Sequence, residues 1–352
     1  MKTKRRAKRI MLDKAVEFRT LNKEETARKL YAASNVLILF HVNPDGDATG
    51  SAFALREVLT CLGKRAFCVC SGEVPERLRF ISRGTQKSVL AENIPSDFDA
   101  DLIVSVDTAS PQQLGSLYEI FGDRIDLMID HHGKGTQYAD GYILPEASSC
   151  GEVLFGVIEV MLEMAGAPLT KKVAECIYAA LSSDTGCFRY NNTSPSAHLL
   201  AARLVGLGID SADINHRLFG IKNLKQMQVE HAGFERMNLH CDGRIAIITF
   251  PYDLKKQYGA TDEDLETLID VARCVKGVEV AATIKQSSEE KSFRVSMRSS
   301  CDLDVSEICA HYGGGGHARA AGCTLLADSI LAAEMTVVVA VEQRMQDDEI
   351  NE

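Results

Sequence analysis

The stretch NVLILFHVNPDGDATGSAFALREVLTCLG, residues 35–63, decides how the chain folds. It opens on NVLILF (35–40), a short apolar run of strand length. It closes on ATGSAFALREVLTCLG (48–63), which carries apolar residues at helical spacing and stops at Gly63. Between them HVNPDGD (41–47) sets His41, Asp45 and Asp47 around Pro44 and Gly46. Strand, polar loop and helix in that order begin an α/β unit. The alternation continues: RAFCVC (65–70), DLIVSVD (101–107) and RIDLMID (124–130) read as further strands. Together they predict a mostly parallel sheet with helices on both faces. Upstream, residues 11–33 read as an amphipathic helix.

Residues 149–239 are mainly helical in pattern. After His240 the character changes. RIAIITF (244–250), VEVAATIKQ (278–286) and SFRVSMRS (292–299) alternate like strands, with helices expected at 261–275, 304–311 and 328–346. The expected organisation is a larger domain over 1–222, a helical connector over 223–240 and a smaller α/β domain over 241–352. No internal repeat or low-complexity tract interrupts it.

The 352 residues are 45% hydrophobic and 25% charged, enough for two or three soluble domains that each bury a core. The net charge of −10 argues against a protein that coats long nucleic acids, which needs clustered Lys and Arg. A phosphate substrate still fits, because metal ions held by acidic clusters make a positive site inside an acidic protein. The one basic cluster, MKTKRRAKRI (1–10), reads as a solvated terminus, with a nucleic-acid-binding arm as the alternative. Asp13, Lys14 and Glu17 break up the segment after it, so no signal-peptide core is read there. No apolar run approaches the ~20 residues that span a bilayer. Eleven cysteines with no C-x-x-C pair indicate reduced thiols and a cytoplasmic chain.

The apolar runs share a feature at their ends. NVLILF leads to His41, Asp45 and Asp47, DLIVSV to Asp107, and RIDLMI to Asp130, His131 and His132. The later run CIYAALSS (176–183) leads to Asp184 and then TGCFRY (185–190). Open parallel sheets bind ligands outside the carboxyl ends of their strands. These groups are therefore expected on one rim. A lone Asp after a strand is usually a turn former or helix cap, and NPDGD alone makes a good turn. Many acids together behave differently. Unpaired, such carboxylates repel one another and titrate upward. Divalent cations relieve that repulsion, and carboxylate with imidazole suits manganese, iron, zinc or magnesium.

A second signal is HYGGGGHARAAG (311–322). Four glycines let backbone N–H groups approach an anion, and a helix N-terminus following them would favour negative charge. A flexible turn is the plainer reading of the glycines alone. His317 and Arg319 add side-chain donors. Arg294 and Arg298 are separated by an even number on their strand and share one face. An Arg, a glycine loop and a His in one small domain read as a grip for phosphate and nucleotide.

HVNPDGDATGS, VSVDTAS, MIDHHGKG, SSDTGCFRYNNT and GGGGHARAAG, in this order, resemble the DHH phosphoesterases with a DHH-associated C-terminal domain. The resemblance runs from about residue 20 to 345. Within that family the chain is most similar to the small bacterial oligoribonucleases of the nanoRNase/pAp phosphatase type. The resemblance implies an N-terminal DHH domain, a smaller C-terminal domain and an active site in the cleft between them. It also implies two divalent ions, Mn2+ first among the choices. His41, Asp45 and Asp107 would hold one. Asp47, His131 and Asp184, with the bridging Asp107, would hold the other. Asp130 would orient His131, and His132 would face the scissile phosphate or the leaving oxygen. Asp107, His132 and Asp130 are thus the expected catalytic set. Arg298, His317 and the glycines Gly313, Gly314, Gly315 and Gly316 would hold the substrate's phosphate and terminal nucleotide, helped by Arg189. One departure stands out. The family often carries D-H-H-x-x-N, and here Gly135 and Thr136 stand in place of the asparagine. Lys134 beside them is either a phosphate contact or a solvated loop lysine.

The activity implied by the resemblance is manganese-dependent hydrolysis of short oligoribonucleotides to 5′-mononucleotides, and of 3′-phosphoadenosine 5′-phosphate (pAp) to AMP. Partners would be short RNA or small phosphorylated nucleotides, without a membrane, and a homodimer is expected by analogy alone. A cyclic-di-AMP or pApA phosphodiesterase would share every motif. A non-catalytic nucleotide-binding protein on a decayed scaffold is the remaining class, and the full set of ligand residues argues against it.

Overall fold

The computed structural model describes residues 18–351 apart from positions 83 and 87. The basic start and the first part of the expected 11–33 helix lie outside the described residues. Among those described, helix α1 (Lys23–Ala32) begins later than expected. The reason is local. The Glu25 amide donates to the Asn22 side chain at 2.9 Å, and the Asn22 amide donates to the Glu25 carboxylate at 3.1 Å. That reciprocal pair is a capping box, and it starts the helix there. Just upstream, Arg19 and Leu21 exchange backbone hydrogen bonds with Gly141.

The chain divides into two compact units, one ending at Leu218 and one beginning at Phe219. In the first unit, strands β1 (Asn35–Leu39), β2 (Arg65–Val69), β3 (Leu102–Val106), β4 (Leu127–Asp130) and β5 (Gly141–Ile143) form a parallel sheet. Its order is β2-β1-β3-β4-β5, and the short β5 has no clear signal in the sequence. The unit's remaining helices are α2 (Gly46–Cys61), α3 (Arg79–Ser82), α4 (Ser116–Phe121), α5 (Cys150–Ala165), α6 (Lys171–Asp184), α7 (Pro195–Gly206) and α8 (Ser211–Asn215). Val36 through Phe40 are all buried, as in a strand covered on both faces. Leu37 and Leu39 turn to one face with Ile103, Met128 and Tyr138.

Helices α2 and α6 pack closely, and Gly50 permits it. A Cβ at Gly50 would lie 2.6 Å from the Cys176 carbonyl oxygen and 2.8 Å from Ala180 Cβ. This approach sets the end of α6, with Ser183 and Asp184, beside the start of α2.

The second unit is a mixed sheet in the order β10-β11-β9-β8-β7-β6. Its strands are β6 (Met237–His240), β7 (Ile245–Phe250), β8 (Val280–Gln286), β9 (Ser292–Ser299), β10 (Gly315–His317) and β11 (Ala320–Leu326). Only the β7–β8 pair is parallel. Its helices are α9 (Leu224–Phe234), α10 (Tyr252–Tyr258), α11 (Leu268–Arg273), α12 (Val305–His311) and α13 (Ile330–Asn351). Ile247, Ile284, Val295 and Val337 anchor one core, and Val229, Ile248, Phe250 and Leu268 anchor the other.

Two sequence expectations change here. The stretch 223–240 is not helical throughout. Helix α9 ends at Phe234, and residues 237–240 pair with β7 as an edge strand. The glycine run is also not followed by a helix. Helix α12 precedes it, the Gly314 amide closes that helix on the Cys309 carbonyl at 2.9 Å, and β10 then turns into a hairpin with β11. Consecutive glycines are poor helix formers, and an adjacent strand supplies their hydrogen bonds instead.

Gly50→Ala should destabilise the protein by about 1–3 kcal/mol, the usual range for overpacking a tight contact. Urea unfolding reads this as a lower midpoint at constant slope. An unchanged midpoint would show that α2 and α6 do not depend on this approach.

Candidate metal centre

The carboxyl ends of β1, β3 and β4 are neighbours in the sheet, so the residues just past them converge. Asp107 leaves β3 in the left-handed region, with φ of 54°. Such a conformation costs on the order of 1 kcal/mol or more for a non-glycine residue and gathers at functional sites. It places the Asp107 carboxylate between two imidazoles. Oδ2 lies 3.6 Å from His41 Nε2, and Oδ1 lies 3.7 Å from His131 Nε2.

The loop 41–47 supplies both sides. Asp45 caps α2, accepting the amides of Asp47 and Ala48 at 3.0 Å, and sits 3.7 Å from His41 Nε2. Asp47 turns instead to the N-terminus of α5. Its Oδ2 accepts the Cys150 amide at 2.6 Å, and its Oδ1 accepts the Gly151 amide at 2.9 Å and Ser51 Oγ at 3.1 Å. A helix N-terminus favours such a carboxylate. Asp184, at the end of α6, brings Oδ2 to 3.3 Å from His131 Nε2. The ligand atoms of His41, Asp45 and Asp107 lie within 4.8 Å of one another, as do those of Asp47, Asp107 and His131.

The histidines are oriented from behind. His131 Nδ1 lies 3.3 Å from the Ala147 carbonyl oxygen. A carbonyl can only accept, so Nδ1 donates there and Nε2 is left facing the aspartates. Asp130 holds both histidines, His131 by its main chain and His132 by its ring. It accepts the His131 main-chain amide at 2.9 Å, and its ring contact is His132 Nδ1 at 2.7 Å. Side chains alternate along an extended chain, so residues 130 and 132 share a side that 131 does not.

The electrostatics of this site favour positive charge beside its carboxylates. Burial, with the charges of Asp107 and Asp45, pushes Asp47 well above the usual carboxylate range. Burial and the neighbouring aspartates, Asp47 first, do the same to Asp184. Burial opposes the His41 cation, yet contact with Asp107 and Asp45 raises it to about 10. Burial likewise opposes the His132 cation, and the bond to Asp130 raises it to about 9. Asp45 and Asp130 fall below the usual range, because His41 and His132 outweigh their burial. Asp107 Oδ1 is buried with no hydrogen-bond partner among the described residues. Carboxylates crowded in this way, one with an oxygen left over, are a donor set that fits hard divalent cations.

Some contributors carried no signal of their own. The Ala147 carbonyl and the Cys150 and Gly151 amides are main-chain groups. Ser149 caps α5, its hydroxyl accepting the Glu152 amide at 3.1 Å. Nothing local announced that Asp47, more than a hundred residues away, would sit on it.

The other expected residues are spread over both units. Arg189, in the first, is exposed, and its Nε donates to the Gly186 carbonyl at 2.6 Å within its own turn. In the second unit, His317 pairs with Ala320, which pairs with Arg298 across β10, β11 and β9. Gly313, Gly314, Gly315, Gly316 and His317 lie on or beside β10, and residues 314–317 are exposed. The missing asparagine after the DHH triplet has a steric cause. A Cβ at Gly135 would lie 2.3 Å from the Ala109 carbonyl oxygen, which also accepts the Thr136 amide at 2.8 Å. The loop docks where a larger residue would stand.

A parallel sheet that gathers carboxylates and imidazoles at its strand ends, followed by a mixed α/β unit, defines a class: a phosphoesterase, a hydrolase of phosphate ester bonds. The chain belongs to the DHH family. The DHH family N-terminal domain matches residues 35–181, and the DHHA1 domain matches residues 243–345. Among curated relatives, the bifunctional oligoribonuclease and PAP phosphatase NrnA of Thermus thermophilus is 28% identical over 88% of this chain and 90% of its own. The protein of that name from Bacillus subtilis is 27% identical over 88% of this chain and 96% of its own. Among solved structures, an exopolyphosphatase-related protein from Bacteroides fragilis shares the fold with a TM-score of 0.81. It is 23% identical and covers 91% of this chain and 96% of its own.

Asp184→Asn should leave the chelator-treated protein as stable as the parent at pH 8, or more so. The sign comes from the raised carboxyl: a folded-state pKa above the unfolded value destabilises once pH exceeds the unfolded value, and an amide escapes that penalty. Each kcal/mol regained shifts Tm by roughly 2–4 °C in a unit of this size. A clear drop in Tm without metal would mean that Asp184 is a structural residue.

Proposed function

We propose that the protein hydrolyses short oligoribonucleotides to 5′-mononucleotides, and pAp to AMP, using two divalent ions held by the aspartate–histidine rim, with Mn2+ the first choice. The observation that carries this reading is Asp107. Its two oxygens face His41 and His131 separately, as a bridging ligand's would. His41, Asp45 and Asp107 would hold one ion. Asp47, His131 and Asp184, with Asp107, would hold the other. Bound there, the pair supplies Lewis acidity to a phosphoryl oxygen and to the attacking water.

The chain's own residues do the remaining work. The α5 amides fix Asp47 so that its carboxylate keeps one direction. The Ala147 carbonyl keeps His131 Nε2 turned toward the acids. Asp130 orients the His132 ring, which would face the scissile phosphate or the leaving oxygen. Arg298, His317 and the glycines 313–316 would hold the terminal nucleotide, with Arg189 assisting. The NrnA relatives, aligned over most of both chains, support the pairing of RNA and pAp as substrates. No described helix is long and apolar enough to cross a membrane. The free cysteines fit a reducing cytoplasm.

A substrate panel tests this reading. With Mn2+, the purified protein should convert a five-nucleotide RNA to mononucleotides and pAp to AMP. Turnover of cyclic di-AMP with neither of the other two would overturn it in favour of a cyclic-dinucleotide phosphodiesterase. Chelation should abolish both activities, and Mn2+ should restore them. Asp107→Ala should reduce hydrolysis below detection at any Mn2+ concentration. Full activity in that variant would remove Asp107 from its bridging role.

A further inference from the structure

One face of the second unit's sheet carries charge that its packing does not need. Paired residues on antiparallel strands share a face, so the register defines rows. Lys285 on β8, Arg294 on β9 and Thr324 on β11 form one row. Thr283, Ser296 and Gly322 form the next. Ala281, Arg298 and Ala320 form the third, with His317 opposite Ala320. The residues between them, including Ile284, Val295, Met297 and Leu325, point the other way into the core. On this face Ala281 and Thr283 are buried beside the second core, and the polar and basic character lies around Lys285, Arg294, Ser296, Arg298 and Thr324.

Its cations crowd together. Arg294 lies 3.9 Å from Asp262, but Asp262 already holds Lys255 at 2.7 Å. Glu266 is the other carboxylate acting on Lys285. Lys255, Lys285 and Arg294 thus draw on two acids. Burial, with Arg294 and Arg298 nearby, pulls the Lys285 ammonium below the usual lysine range. A lysine with no task would swing into solvent. This one is half-buried among like charges on a strand whose opposite face is core. Ser296 and Thr324 add hydroxyl groups to the same face, while Thr283 is buried. Clustered cations with hydroxyls suit phosphate oxygens. Arg294 and Arg298 are four residues apart, roughly 13 Å at strand rise, so the basic band is longer than one phosphate.

We propose that Lys285 and Arg294 form a second phosphate subsite, which takes a phosphodiester farther along a short single-stranded chain than the one gripped by Arg298. They would make the protein favour an oligonucleotide over a lone nucleotide. The inference rests on the reading above, in which Arg298 and His317 hold the substrate's terminal nucleotide.

The test uses the full chain with Mn2+ and compares kcat/KM for a five-nucleotide RNA with kcat/KM for pAp. Lys285→Gln and Arg294→Gln should each lower the RNA-to-pAp ratio about tenfold, through KM, and Lys285→Arg should keep most of it. In chelator, anisotropy of a labelled five-nucleotide RNA should lose about 0.7 from its log–log salt slope for each cation removed. An unchanged ratio and salt slope in both Gln variants would overturn the subsite. If Lys285→Gln loses its circular dichroism signature, the exposed Arg294→Gln decides alone. Inorganic phosphate that displaces the RNA equally well from parent and Lys285→Gln protein would place the ligand elsewhere and overturn it. If the parent hydrolyses neither substrate but RNA binding still falls in the variants, the reaction reading fails and the subsite stands.

Discussion

Like-charge crowding around Asp107 is the constraint on which the first unit turns. Five aspartates approach one another at the ends of three strands and one helix, two of them pushed far from their usual ionisation. Folding alone has no reason to assemble such a group, since each buried carboxylate without a cation opposes burial. The surrounding structure makes the assembly tolerable. Helix N-termini hold Asp45 and Asp47. Imidazoles separate the carboxylates, the Ala147 carbonyl fixes His131, and Asp130 fixes His132. What remains unsatisfied is concentrated on Asp107, between the two halves of the cluster.

The sheet provides the geometry and the helices provide the tolerance. A parallel order of β1, β3 and β4 brings His41, Asp107 and His131 together without any special contact between their strands' side chains. Asp184 arrives differently, from the end of a helix. Its place depends on Gly50, which lets α6 lie close on α2. A single packing contact remote from the acids therefore helps complete the ligand set. The second unit obeys another logic. Its sheet buries one face in a core and packs part of the other, around Ile248, Phe250 and Ala281, into a second core, so that the basic strip is confined to β8, β9 and β11.

Much of this is legible in the residues alone. The run 35–63 announces strand, acidic loop and helix, and the recurrence of acids after apolar runs announces a rim. The legible features are those with a fixed period or a fixed position at a strand end. Asp130 shows where that ends. Its neighbour in sequence is His131, but its ring partner is His132, because direction along an extended chain decides contact. Gly135 shows the converse. As a letter it is a missing asparagine, and as a structure it is a loop pressed against the Ala109 carbonyl.

The sequence by itself determined strands β1 to β4 and β7 to β9, the order of the acidic loops and the identity of the groups that gather, because periodicity and composition act locally. Tertiary structure alone decided which of those groups face one another. Asp47 reached α5, Asp184 reached His131, and Lys285 came beside Arg294 through contacts between segments apart in the chain. The glycine run became a hairpin for the same reason, since a neighbouring strand offered hydrogen bonds that no local signal encodes. Long-range pairing sets distances, and the chemistry of this site depends on distances.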